Sequence, residues 1–163
     1  MTTNSGDHDA TADILEGAGA FLTIHVSDLE ASIRWYSAVF RCEPRSRGAD
    51  ASLAGQITEF ALFRLAGMNV FLSEDSSMQG PRDPHSPTLV FMTRQRLAQL
   101  RHELAGRGAL FKDGEVVEGF PADADGVRAG RNAEFLWFYD PDGNKMEFCR
   151  TLPAAPGGAA GAG

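Results

Sequence analysis

The chain has 163 residues, 43% hydrophobic and 23% charged, which suits one compact domain or two small modules sharing a core and excludes wholesale disorder or a fibre. A formal net charge of −7 argues against a nucleic acid as main partner, and no run approaches the roughly 20 apolar residues of a membrane span. Two cysteines, Cys42 and Cys149, are too few for a disulfide framework or a four-cysteine zinc site, so a reduced cytoplasmic setting is expected, and the polar, acidic stretch from Met1 to Asp9 does not read as an export signal.

Residues 1–17 and 153–163 read as tails, the second of them the low-complexity PAAPGGAAGAG. The first strand pattern, AFLTIHV, alternates Leu22, Ile24 and Val26 with Phe21, Thr23 and His25. The aliphatic face predicts a helix above it; the mixed face is unusual for a dry core. Ser27 and Glu30 fit a capping box, Asp28 suits the positive end of a helix, and Leu29, Ile33, Tyr36 and Phe40 make its apolar stripe. The stretch holding Pro44 and Gly48 reads as a polar loop. Strands 57–65 and 68–74 then follow, joined tightly by Ala66-Gly67. Residues 75–87 are dense in turn formers and mark the internal boundary.

The pattern then restarts with a strand at 88–92. Thr93 is placed to cap a helix with the stripe Leu97, Leu100 and Leu104, and Gly106 and Gly108 suit its end. Strand-like runs lie around 109–119 and at 134–139, and a glycine-rich, unpatterned segment at 118–135 reads as a connector. Asp140-Pro141-Asp142-Gly143 predicts a type I turn between EFLWFY and KMEFCR. Both halves run strand, helix, strands. That order predicts an α+β fold of two similar modules, 18–80 and 81–152.

The strand followed by SDLEASIRWYSAVF, and FYDPDGNKMEF near the end, resemble the vicinal-oxygen-chelate superfamily of glyoxalases, bleomycin-resistance proteins and extradiol dioxygenases. The resemblance spans about residues 20–150. It implies two βαβββ modules whose sheets curl into a cup with helices outside, and in metal-dependent members one divalent ion held inside. Carried over one at a time, the first ligand position, seven residues before Asp28, is Phe21. The last strand of the first module points to Phe71, and the start of the second module's first strand to Thr88. The fourth position, seven residues after Asp140, is Glu147. One of the four keeps a metal-ligating side chain, so the usual site reads as dismantled.

His25 shares a face with Phe21, at a position where the resemblance implies a substrate contact. It is read either as a ligand or acid/base group or as a structural histidine. Glu147 alternates with Lys145 and Cys149. Among Phe21, Phe71 and Trp137 it would be partly desolvated and suited to acid/base work; the plainer reading pairs it with Arg131 or Arg150. Glu59 is read as a guard at a sheet edge in preference to a cup residue. His85 is a weaker candidate, His102 reads as solvated, and His8 lies in the tail. Cys42 and Cys149 have no neighbouring base and are poor nucleophiles by sequence.

The expectation is therefore a metal-free protein with no cofactor. Its aromatic cup would bind a small organic molecule, with His25 and Glu147 as the polar groups and Phe21, Thr23, Phe71, Thr88 and Trp137 as contacts. It would sequester that ligand or convert it by acid/base chemistry. The alternative is a metal-dependent lyase, isomerase or dioxygenase in which Glu147, with His25 and His85 or Glu59, holds a divalent ion. The acidic balance favours a cationic or neutral ligand. The resemblance also implies a homodimer.

Overall fold

A computed structural model describes residues 20–51, 57–75, 77, 89–114, 117 and 119–153. The tails at 1–17 and 154–163, His8, most of the 75–87 boundary, His85 and Thr88 lie outside the described residues.

The first module runs β1 (Phe21–Val26), α1 (Leu29–Phe40), β2 (Ser46–Ala51), β3 (Ile57–Leu65) and β4 (Met68–Glu74). The second runs β5 (Leu89–Met92), α2 (Leu97–Gly106), β6 (Val127–Ala129), β7 (Ala133–Tyr139) and β8 (Lys145–Thr151). The sheets have orders β1-β4-β3-β2 and β5-β8-β7-β6, and in each the first strand lies parallel to the last. Two βαβββ modules of an α+β fold are thus present. The two sheets are not joined into one.

β2 and β6 form where the sequence reads as loop. Both are edge strands, with one paired neighbour and no clean alternation to betray them. The run at 109–119, read as strand, makes only an isolated bridge between Leu110 and Tyr139 among the described residues. Both helix starts also differ from the sequence reading. Asp28, not Ser27, caps α1, its carboxylate accepting from the Ala31 amide at 2.8 Å. Thr93 accepts from the Gln95 amide instead of capping α2, whose N-cap is Arg96 without a side-chain bond. The hairpin at Ala66-Gly67 forms as expected, with φ of 47° at Ala66, uncommon for a residue with a Cβ, and 86° at Gly67, which glycine tolerates freely.

One core serves both modules. Tyr36 on α1 meets Phe63 of β3 at 5.7 Å, while Phe40 on the same helix meets Phe91 of β5 at 5.4 Å and Phe138 of β7 at 6.3 Å. Helix α1 is therefore layered between the two sheets, and burying side chains of this size contributes about 1.5–3 kcal/mol each. Three hydrogen bonds across the modules converge on the β7–β8 turn. The amide of Ser27 donates to the Asp142 carboxylate, the Asn144 side chain donates to the His25 carbonyl, and the Tyr36 hydroxyl donates to Asp140. The Asp-Pro-Asp-Gly turn thus clamps the β1–α1 junction of the other module. No helix among the described residues is long and apolar enough to cross a membrane.

Candidate functional site

Each sheet has a face turned to the shared core and an open face behind it. On β1, Ile24 and Val26 are buried while Phe21, Thr23 and His25 are exposed, Phe21 by 65%. Pairing sets Thr23 beside Phe71 and His25 beside Ser73 on the open face. On β5, Leu89 and Phe91 are buried while Val90 and Met92 are exposed, Met92 by 67%. Val90 pairs with Glu147, and Glu147 pairs in turn with Trp137. Because both core faces look toward α1, both open faces turn outward and do not face one another. His25 and Glu147, expected to border one cup, lie on separate open faces.

The first module's open face is aromatic at the two positions that the sequence resemblance carries over as metal ligands. The Phe21 and Phe71 rings lie 5.9 Å apart, and Phe60 stacks on Phe71 at 4.8 Å. Neither phenylalanine has a donor atom, and no group of three or more His, Cys, Asp or Glu among the described residues could hold an ion. At these two positions the residues present offer no donor to a divalent ion. Glu59 cannot join Glu147 either. It sits on β3, an inner strand, so it guards no sheet edge, and it shares the core-side face with Ala61 and Phe63 at the exposed end of that strand.

The second module's open face carries most of the polar chemistry. The Trp137 indole N–H donates to Glu147 Oε2 at 2.7 Å, which orients that carboxylate. Neither arginine expected beside Glu147 takes that place: Arg150 bonds to Glu134 at 2.6 Å on the core-side face of the same strand pair. Nor do Phe21 and Phe71 surround Glu147; of the three expected aromatics, only Trp137 does. The Lys145 ammonium lies 4.7 Å from the Trp137 ring centroid and the Arg128 guanidinium 4.4 Å, while the Phe120 ring stacks at 6.3 Å. Burial, then the neighbouring Glu147 charge, pushes the Cys149 thiol up, and burial, then Glu43, does the same to Cys42. Both thiols are therefore held in the non-nucleophilic form. His102 is exposed on α2, away from either open face.

Beside Trp137 a cavity of about 920 Å³ lies at the end of β7 beyond its pairing with β6, with Arg101, Phe111, Lys112, Arg128, Trp137 and Tyr139 in its wall. The sequence reading missed Arg128, which is 4% exposed. It sits in a glycine-rich segment without periodicity, and nothing local marks it as buried.

No protein-family model and no curated protein matches the sequence. Solved structures do match. The glyoxylase/bleomycin resistance protein/dioxygenase domain from Frankia sp. EAN1pec superposes with a TM-score of 0.61 at 23% identity, over 83% of this chain and 93% of that one. The fosfomycin resistance protein FosX from Listeria monocytogenes gives 0.57 at 18% identity, over 79% and 89%. The chain has the vicinal-oxygen-chelate fold. A glyoxalase family protein from Enterococcus faecalis shares this vicinal-oxygen-chelate architecture at a TM-score of 0.55 and 15% identity, over 79% and 94%. The Listeria protein has also been solved with Mn(II) and sulfate, whereas the present chain has phenylalanines at two of the carried-over ligand positions.

Proposed function

We propose that this protein binds a small organic molecule between the aromatic open face of its first module and the Trp137–Glu147 face of the second, using no metal at the positions carried over as ligands. The observation that carries the reading is the ring contact of Phe21 with Phe71, an apolar patch where an ion would need donors. Trp137 and Glu147 supply the other half of a binding surface: a large flat ring, and a carboxylate held in one orientation by the indole N–H. A second copy of the chain closes the site. Module one of one protomer covers module two of the other, twice, as a two-fold axis requires. That arrangement sets His25 of one chain over Glu147 of the next and covers the exposed Phe21 and Met92.

Protein purified without a metal-affinity tag is expected to hold far less than one equivalent of divalent metal. Its thermal midpoint is expected to ignore a chelator, because an ion bound only by the native state would raise it by mass action. A library of small aromatic molecules is expected to yield members that raise the midpoint, and Trp137→Leu is expected to abolish the effect. Stoichiometric metal, lost together with binding on chelation, overturns the reading. The oriented Glu147 favours acid/base conversion as a second reading. Incubating a hit with the protein and following it by NMR separates the two: turnover lost in Glu147→Gln supports conversion, and an unchanged hit supports sequestration.

A further inference from the structure

The cavity beside Trp137 and Tyr139 points to a ligand class, and this inference rests on the aromatic-face reading above. We infer that the cavity takes a flat organic anion, an aromatic carboxylate, with its ring against Trp137 and Tyr139 and its charge toward Lys112, Arg101 and Arg128. Among the described residues, three cations and two carboxylates line the space. Both carboxylates are already engaged. Asp113 bonds to Arg101, and Asp123 accepts from the backbone amides of Asp125 and Val127. The Arg101 Nε–H is buried and has no acceptor among the described residues, which leaves a donor in the wall.

The remaining cations lie over aromatic rings. The Lys112 ammonium is 3.9 Å from the Tyr139 centroid, and the Arg128 guanidinium, which donates to the Phe120 carbonyl, lies over Trp137. The whole chain has two lysines, Lys112 and Lys145, and both sit against the rings of this face. A net charge of −7 repels an anion at a distance. Local charge decides at contact, where partial exclusion of water strengthens each pairing. The acidic composition thus misleads about the ligand, and the volume of about 920 Å³ admits a fused-ring molecule.

Naphthoate, naphthamide and naphthylmethylamine share a ring system and differ in charge. Each is titrated into the full-length protein while the Trp137 indole N–H resonance, assigned with Trp137→Phe, is followed by NMR. Naphthoate is expected to bind at least roughly tenfold tighter than the neutral amide, with the amine weakest, as a charge-assisted contact requires. Lys112 is exposed, so Lys112→Glu is expected to erase that preference without moving the thermal midpoint; Lys112→Gln serves if the charge reversal disturbs folding. Equal Trp137 shifts from all three probes, or a preference that survives both variants, overturn the anion assignment and leave the aromatic-face reading standing. If no probe shifts Trp137, both fall.

Discussion

Asp140 ties the β7–β8 turn of the second module to the helix of the first. It is 1% exposed, and its carboxylate accepts from the amides of Asp142 and Asn144, the Asn144 side chain and the Tyr36 hydroxyl. Asp140→Asn turns an acceptor into a donor facing other donors and is expected to cost about 1–3 kcal/mol in chemical unfolding. Burial pushes this carboxyl above its ordinary 3.8, against the hydrogen bonds from Asn144 and Tyr36, with the Asp142 charge adding to the rise. The folded chain then holds the proton more tightly than the unfolded one. The stabilisation is complete below the ordinary value and is lost as pH rises through the raised one. The wild-type advantage over Asp140→Asn is therefore expected to shrink as pH climbs from about 4; an advantage that grows instead contradicts the assignment. The sequence marked Asp140 as the start of a turn. It held no sign that Tyr36, 104 residues away, would reach it.

Among the elements, α1 shows how two neighbouring residues can exchange roles. Ser27 and Glu30 fit the sequence signature of a capping box, yet Asp28 makes the cap bond and the Ser27 amide is drawn off to Asp142. Asp28→Ala is expected to lower stability by about 0.5–2 kcal/mol, and Ser27→Ala by less than about 0.5. Thermal unfolding of the two variants checks the assignment, and a reversed order would restore the capping box. Strands with a buried and an open face, β1, β3, β4 and β8, were legible because their alternation has a physical cause. The edge strands β2 and β6 were not. Ser46–Ala51 has no apolar alternation, and Val127–Ala129 is too short to show a period, so only pairing specifies them. The same holds for Arg128, whose burial is set by Trp137 and Phe120 and not by its own neighbours in sequence.

At the scale of the whole molecule, two open faces turn outward from one core, and closing each with a second copy makes specific demands. Sedimentation at micromolar concentration is expected to show a dimer, and a 17.5 kDa species would remove that expectation. Met92→Glu puts a charge on an exposed surface of the single chain. It is expected to leave the fold intact and shift the protein to monomer; an unmoved dimer would place the interface elsewhere. A composite site also predicts complementation. In mixed dimers of His25→Ala and Glu147→Gln, one of the two sites regains both residues, so ligand binding is expected to recover partly on mixing. Failure to recover would assign the two residues to separate duties.

The sequence by itself determined the two-module order, the main strands with their faces, the central hairpin and the loss of donors at Phe21 and Phe71, because each of these is written in local periodicity, turn chemistry or side-chain type. It also placed Glu147 and Trp137 on strands that proved to be neighbours, since the Asp-Pro-Asp-Gly turn fixes their register. Only the tertiary structure decided that His25 and Glu147 occupy different open faces. That outcome follows from α1 packing against both sheets at once, a contact between Phe40 and residues some 50 to 100 positions further along the chain. The gathering of Arg101, Lys112 and Arg128 around one cavity is tertiary for the same reason. Net charge sums over the whole chain, whereas a binding site responds to the few groups that folding brings within a few ångströms of one another.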